Sequence, residues 1–254
     1  ESKSLGTLAY QTQDVGLLGI KDALDTPFSS MALSQKSFQY YASPATGVAD
    51  VLSMNPAVRS SASSLYNDVS IRGFRITGHG MYINGIPGLL DQQHLTDVFI
   101  DSATVIAGPN LGIAGTPITQ SEGGTIAFQS KKAQIQPSTD LTLSYQGGKS
   151  FREMLDMGRR LGENQRYGIR VMADHIEGET SVKHEKLTQN NVFINLDQKT
   201  TYSKTNLLVG YDETNQKAGP YSFSFGNAVT YMPKAPKASR NYKPDWSYNK
   251  FYSW

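Results

Sequence analysis

Strict alternation of apolar and polar residues in the second half of the chain is the feature that most limits its fold. A period of two residues is that of a β-strand, whose successive side chains point to opposite faces. The alternation therefore predicts about five strands, most of them longer than the usual strand of about 5–6 residues. The segments that alternate are Leu141–Tyr145, Tyr167–His175, Asn191–Asp197, Thr205–Asp212 and Tyr221–Phe225.

Two kinds of fold would accommodate these strands in opposite senses. A soluble sandwich or barrel buries the apolar face, whereas a transmembrane barrel turns the apolar face to lipid and the polar face to its lumen. Tyrosine begins or ends several of the apolar faces, as at Tyr145, Tyr167 and Tyr211, and aromatic residues collect at the interfaces of transmembrane barrels. The period by itself is compatible with both folds.

Composition excludes several classes of function. The net charge of the 254 residues is +2, which is too small to predict binding to nucleic acid by bulk electrostatics. No apolar run approaches the roughly 18 residues that a membrane-spanning helix needs. The chain has no cysteine, so disulfides, thiolate metal sites and a cysteine nucleophile are excluded.

The sequence contains no complete enzyme motif, and we therefore predict no catalytic residue, no metal site and no cofactor. Gly147–Ser150 resembles the end of a phosphate-binding loop, but Leu143 occupies the position of the first glycine that such a loop requires. No Gly-x-Ser-x-Gly sequence occurs. The four histidines, at positions 79, 94, 175 and 184, lack the spacing of a zinc site.

The first half of the chain differs from the second half in its sequence pattern and in its charge. Residues 1–130 carry 6 basic and 10 acidic side chains, whereas residues 131–254 carry 18 and 12. Apolar spacing predicts a short helix within Thr46–Asn55, and Asn84-Gly85 between apolar residues predicts a hairpin. Short strands are predicted at 69–71, 103–107 and 125–130. We place a boundary near residue 137, which divides the chain into residues 1–137 and 138–254.

Six sequence pieces of the first half occur in the order of a known family. They are Asp25–Phe28, Val48–Val58 with its Asn-Pro-Ala-Val end, Val69–Phe74 (VSIRGF), Tyr82–Pro87 (YINGIP), Ile106–Asn110 (IAGPN) and Gly123–Phe128 (GGTIAF) followed by Lys131-Lys132. This series resembles the plug domain of TonB-dependent outer-membrane receptors of the siderophore-receptor type. The strands after residue 137 look like the first strands of the barrel of that family.

The resemblance implies a mixed α/β plug domain followed by antiparallel strands of a truncated transmembrane β-barrel, which has 22 strands in the complete family fold. It implies a receptor in the bacterial outer membrane, with the plug inside the barrel and facing the periplasm. A ferric siderophore would be cargo, not cofactor, and import would be energised by TonB with its inner-membrane complex. Membrane lipid and lipopolysaccharide are the other implied partners, and nucleic acid is not one. Two alternatives remain: a non-transporting plugged barrel with a structural or interaction role, and a soluble β-rich binding protein.

The resemblance also assigns candidate sites. Tentative ligand-binding residues in apical plug loops are His79, Gln92, Gln93, His94, Asn110, Gln120 and Glu122. Contacts between plug and barrel are expected at Arg72 and Asp101, and family-motif turns at Gly73, Gly85, Gly108, Pro109, Gly123 and Gly124. The nearest candidate for a TonB box is the segment with Leu5, Thr7, Leu8 and Ala9.

One departure from the family pattern concerns charge. Thr104 and Ala107 stand where the family tends to have Glu and Lys or Arg, so we expect weakened charge contacts between plug and barrel. A second departure concerns length. Twenty-two strands of roughly 10 residues need about 220 residues before any loop, and residues 138–254 supply five or six strands. We therefore expect the chain to be a piece of a longer protein.

Overall fold

The computed structural model describes residues 9–10, 12–14, 20–22, 29–42, 47–60, 69–76, 80–90, 94–108, 122–146, 149–180 and 185–217. Within these residues the chain forms a six-stranded sheet, a five-stranded sheet and two smaller sheets of two and three strands. The predicted strand at Tyr221–Phe225 lies outside the described residues. No helix in the described ranges is long and apolar enough to cross a membrane.

The N-terminal part consists of short strands with two helices. The strands are β1 (Ala9–Tyr10), β2 (Thr12–Asp14), β3 (Ile20–Asp22), β4 (Ser29–Leu33), β5 (Val58–Ser60), β6 (Val69–Ile71), β7 (Phe74–Ile76), β8 (Met81–Ile83), β9 (Ile86–Pro87), β10 (Ile100–Ala107) and β11 (Gly124–Ser130). The helices are α1 (Gln35–Tyr41) and α2 (Ala49–Leu52).

The six-stranded sheet has the order β1-β4-β10-β11-β8-β9, and β11 runs parallel to β8 while the other neighbours are antiparallel. Its centre is apolar: Val105, Ile126 and Phe128 are fully buried. The helices and the sheet β5-β6-β7 contribute further buried apolar side chains to the same core. The N-terminal part thus has a hydrophobic core built on a small central sheet.

The C-terminal part is a sheet of five consecutive antiparallel strands, which we call the wall. Its strands are β12 (Ser138–Gln146), β13 (Lys149–Leu161), β14 (Tyr167–Glu179), β15 (Lys186–Lys199) and β16 (Lys204–Lys217). A short 3-10 helix, Glu163–Gln165, connects β13 to β14. Strands β13 to β16 have 13 or 14 residues each, which is well above the soluble mode.

Several local predictions are confirmed, and one wall strand was not predicted. Asn84 and Gly85 have φ of 50° and 84° and join β8 to β9, as a type I′ hairpin requires. The helix predicted within Thr46–Asn55 is only the four residues of α2. Strand β13 was not predicted, because charged residues occupy both of its faces and dilute the apolar alternation.

The wall exposes its apolar face and buries its polar face. Leu141 is 67% exposed and Val209 57%, whereas Asp156 is 2% exposed and Arg170 4%. The buried polar face lies against the N-terminal part, to which it is joined by ion pairs. In the described strands this disagrees with a sandwich, because a sandwich would bury the apolar face. The predicted fold class, a mixed α/β unit followed by an antiparallel sheet of barrel type, is confirmed.

Candidate functional site

The contact between the N-terminal part and the polar face of the wall holds the densest group of buried charges among the described residues. The chain reaches the wall from three places: residues 94–99 before β10, residues 130–133 after β11, and the hairpin at Asn84. Strands β13, β14 and β15 supply most of the wall side chains. Because a strand alternates its faces, Arg152 and Asp156, which are four positions apart on β13, point toward the same side.

The first charge triad joins two carboxylates through one guanidinium. Arg152 of β13 donates from Nη1 and Nη2 to the Oδ2 and Oδ1 atoms of Asp97, at 3.2 and 3.0 Å. Its Nε donates to Oδ2 of Asp174 on β14 at 2.9 Å. Asn191 of β15 completes the group by donating from Nδ2 to Asp174 Oδ1 at 2.7 Å and to Thr96 Oγ1 at 3.3 Å. The paired N–H fork of arginine suits bidentate contact with a carboxylate.

The second triad has the opposite charge order, with one carboxylate between two cations. Asp156 of β13 accepts from Lys131 Nζ at 3.1 Å and from Nε and Nη2 of Arg170 at 2.7 and 2.8 Å. Arg170 Nη1 also donates to the backbone oxygen of Lys132 at 2.9 Å. All three charged side chains are at least 96% buried. The cost of removing each charge from water is therefore offset by its partners.

An aromatic contact lies between the two triads. The rings of Phe99 and Phe193 have centroids 4.5 Å apart and are tilted by 36°. Phe193 of β15 faces Met172 of β14 across the strand pair, and both side chains are buried in the core of the N-terminal part. Asp174 and Arg170 lie two residues to either side of Met172 on the same strand. The wall therefore completes the core of the N-terminal part at this point.

A chain of amides extends the contact toward β16. Asn195 Nδ2 donates to Ser130 Oγ at 2.9 Å. Asn84 Nδ2 donates to the same Ser130 oxygen at 2.8 Å and to Asn206 Oδ1 at 3.2 Å. Beside these residues is a cavity of about 540 Å³ with mainly apolar lining, which includes Leu90, Leu95, Phe193, Leu208, His94 and Asp212. The described residues contain no group of three or more His, Cys, Asp or Glu side chains able to hold a metal ion.

The predicted ligand-binding residues are only partly described. His94 is buried, with Nε2 3.1 Å from Gln189 Nε2, and packs beside Gly47, whose added Cβ would lie 3.3 Å from the imidazole. Glu122 is exposed just before β11. The predicted residues His79, Gln92, Gln93, Asn110 and Gln120 lie outside the described residues, and so do Pro109, Leu5, Thr7 and Leu8. These assignments remain predictions.

The predicted contacts of Arg72 and Asp101 with the barrel also remain predictions. Arg72 is exposed and its backbone N–H donates to Ala57 O at 2.8 Å, while Asp101 is half-buried at the start of β10. Neither side chain has an ion pair within the described residues. Among the motif glycines, Gly124 has the clearest need: its φ is 139° and a Cβ would lie 2.1 Å from Ile106 O.

The expectation of weakened charge contacts rested on Thr104 and Ala107, and it stays a prediction. Thr104 and Ala107 are buried within β10 and form no ion pair there. Asp97 and Lys131 instead carry the ion pairs to the wall. Sequence reasoning did not predict these two contacts, although Arg170 and Asp174 on the polar face of the predicted strand Tyr167–His175 were a usable signal that buried partners exist.

Comparison with known proteins shows which receptors this geometry resembles. No protein-family model matches the chain. The chain is 28% identical over 237 residues to the ferrichrome receptor FcuA of Yersinia enterocolitica. The matched region covers 92% of this chain and 31% of the relative. The ferric preacinetobactin receptor BauA of Acinetobacter baumannii matches with a TM-score of 0.74 and 25% identity, over 81% of this chain and 31% of that one. The described part of the chain resembles the plug and part of the barrel of TonB-dependent siderophore receptors.

Further solved structures share this fold. The pyoverdine outer membrane receptor FpvA of Pseudomonas aeruginosa matches with a TM-score of 0.70 and 18% identity, over 88% of this chain and 33% of that chain. The resemblance drawn from the sequence motifs is confirmed, and the relatives are receptors rather than enzymes, as predicted. The chain spans about a third of the length of the relatives it matches. In the terms of the family, the N-terminal part corresponds to the plug and β12–β16 to the first barrel strands, while the boundary near residue 137 remains a prediction.

Proposed function

We propose that the protein to which this chain belongs is an outer-membrane receptor that binds a ferric siderophore and imports it into the periplasm with energy from TonB. One observation carries the proposal: the wall exposes an apolar face while its charged face is covered by the plug. An apolar outer face with a polar interior is the arrangement of a transmembrane barrel. The complete barrel would hold the plug in its lumen.

The proposed ligand class is a ferric siderophore. The relatives are named as receptors for ferrichrome, ferric preacinetobactin and pyoverdine. We take an iron chelate as the ligand class from these names. The ligand would lie where the apical plug loops meet the barrel, near the predicted residues His79, Gln92, Gln93, His94, Asn110, Gln120 and Glu122. No chemical transformation is needed for this function, and the iron chelate is cargo and not a cofactor.

Gating by the plug forms the second part of the proposal. The plug would close the pore at rest, and TonB would remodel it by pulling on the N-terminal segment. The candidate TonB box at Leu5–Tyr10 ends with strand β1, in which Ala9 pairs with Leu33 of β4. A TonB box pairs with TonB by strand addition.

Binding and uptake measurements test the proposal. Purified full-length protein should bind ferrichrome or another ferric hydroxamate or catecholate chelate, and cells producing it should accumulate the same iron-55-labelled chelate. Deletion of residues 1–10 should abolish uptake and leave binding intact. Uptake that survives this deletion would refute the energised mechanism, and the absence of binding to every chelate in the panel would refute the ligand class.

The second candidate is a plugged barrel that does not transport. The buried ion pairs of Asp97 and Lys131 with the wall favour it, because they fix one docking position of the plug against the wall. In that case the protein would bind none of the chelates and would co-purify with other envelope proteins. The binding panel therefore separates the two candidates.

A further inference from the structure

The contact between plug and wall is divided into an apolar centre and two charged flanks. Phe99 of the plug packs on Phe193, beside Met172. The triad of Asp97, Arg152 and Asp174 lies on one side and the triad of Lys131, Asp156 and Arg170 on the other. Apolar contacts surrounded by polar contacts that exclude water are typical of the tightest parts of protein interfaces. We call these eight residues with Met172 the clamp.

The charges of the clamp select one docking position for the plug. Arg152 is paired with Asp174 within the wall, and Asp156 with Arg170. The wall thus offers a preformed cation next to a preformed anion on β13. The plug brings an anion at Asp97 and a cation at Lys131, and the backbone bond from Lys131 N to Phe99 O at 2.8 Å holds these two plug segments together. A shift of the plug along β13 would bring like charges together, which is destabilising.

The apolar centre decides whether the plug leaves the wall. The wall pairs would stay balanced without the plug, so the charges alone do not prevent separation. Phe193 and Met172, however, belong to the same buried cluster as the plug core, with Val98 and Ile100 of the plug. Separation at this edge would expose the core of the plug and two apolar side chains of the lumen wall to water, which is unfavourable.

We propose that the clamp stays closed during transport, so that the plug edge at Thr96–Ile100 and Ser130–Lys132 remains attached to β13–β15 while the passage opens on another side of the plug. This proposal rests on the proposed function, since it concerns the path that the cargo takes. It assigns the clamp as a static attachment and places the moving part of the plug away from these strands.

A reversible cross-link across the clamp tests the proposal. The 254 residues contain no cysteine, and the Ser130 and Asn195 side chains meet at 2.9 Å. The full-length variant Ser130→Cys/Asn195→Cys, cross-linked by a short bifunctional thiosulfonate, should import iron-55 ferrichrome without loss relative to the same variant after reduction. The two single-cysteine variants, treated identically, are the controls. Uptake lost on cross-linking and regained on reduction, with ferrichrome binding intact, would overturn the proposal.

A second readout does not depend on the ligand. Thr96 is 3% exposed and Tyr202 is 98% exposed. In energised cells a maleimide should label Tyr202→Cys and leave Thr96→Cys unlabelled, with or without the membrane potential. Potential-dependent labelling of Thr96→Cys would overturn the clamp. The labelling experiment still tests the clamp if the variant Ser130→Cys/Asn195→Cys fails to reach the outer membrane. A parent protein that binds no chelate would refute the proposed function, and the labelling result would still decide whether the clamp opens.

Discussion

Asp156 shows at the residue scale why single charges matter at the interface between plug and wall. Its carboxylate is the anion between Lys131 and Arg170, and all three side chains are nearly fully buried. Removal of one member of a buried ion pair leaves the other charge without compensation. The same group in water would contribute little, since exposed pairs are screened.

We predict that Asp156→Asn destabilises the full-length protein by about 3–5 kcal/mol, the usual cost of an uncompensated buried charge. Thermal unfolding in detergent should show a lower midpoint, and protease should cleave the plug more readily. Glu213→Gln is the matched control, because Glu213 accepts hydrogen bonds from the side-chain amides of Asn190 and Asn215 on the outward side of the wall, and we expect no measurable change from it. Equal unfolding of the two variants would contradict the role given to Asp156.

At the scale of elements, the pairing of β15 with β16 makes room for the aromatic contact. Gly210 lies directly opposite Phe193, and a Cβ on Gly210 would lie 2.1 Å from Phe193 Cδ1. The Phe193 ring therefore occupies the space that a side chain at position 210 of β16 would fill. That ring in turn reaches Phe99 of the plug, so a glycine in a wall strand affects how the plug packs.

We predict that Gly210→Ala destabilises the protein by about 1–3 kcal/mol, the typical cost of overpacking, because the Phe193 ring must shift. Phe193→Ala alone should cost about 3–5 kcal/mol through the cavity that it leaves. In the Phe193→Ala background the alanine at position 210 should have almost no further effect. A double-mutant cycle on unfolding midpoints measures this coupling, and additive effects of the two substitutions would contradict it.

For the molecule as a whole, the deciding feature is that the described strands have an exposed apolar face and a covered polar face. Ile194 and Val209 face each other on the outward side of β15 and β16. Lipid is the environment that favours such a face, since a continuous exposed apolar face across several strands is unusual in a soluble monomer. The ion pairs to the plug cover the opposite side.

We predict that Ile194→Lys lowers the stability of the full-length protein in a lipid bilayer by about 2–4 kcal/mol, the cost of a lysine on the lipid face near the midplane. Tyr202→Lys in the connection between β15 and β16 is the control, because Tyr202 is already exposed to solvent. Folding into vesicles, followed by the heat-modifiable mobility of the barrel, measures both. A protein that stays monodisperse without detergent and tolerates Ile194→Lys would contradict the membrane barrel.

Local chemistry explains which elements could be predicted. The hairpin at Asn84-Gly85 follows from two residues that accept positive φ, and the strands at Leu141–Tyr145 and Thr205–Asp212 follow from the period of two. Strand β13 did not show this signal, because Arg152 and Asp156 on its inward face are matched by Glu153 and Arg159 on the other. The partners that justify its inward charges are Asp97 and Lys131, which lie 55 and 25 residues away.

The sequence by itself determined four of the five wall strands, the hairpin at Asn84-Gly85 and, through its motifs, the resemblance to a receptor family. Only the tertiary structure decided which face of the wall is buried and which charges meet. The physical reason is that a period of two divides a strand into two faces without stating which of them meets water, lipid or protein. The polar face is covered because the plug supplies buried partners for it, Asp97 to Arg152 and Lys131 to Asp156. These contacts are long-range, and no local pattern contains them.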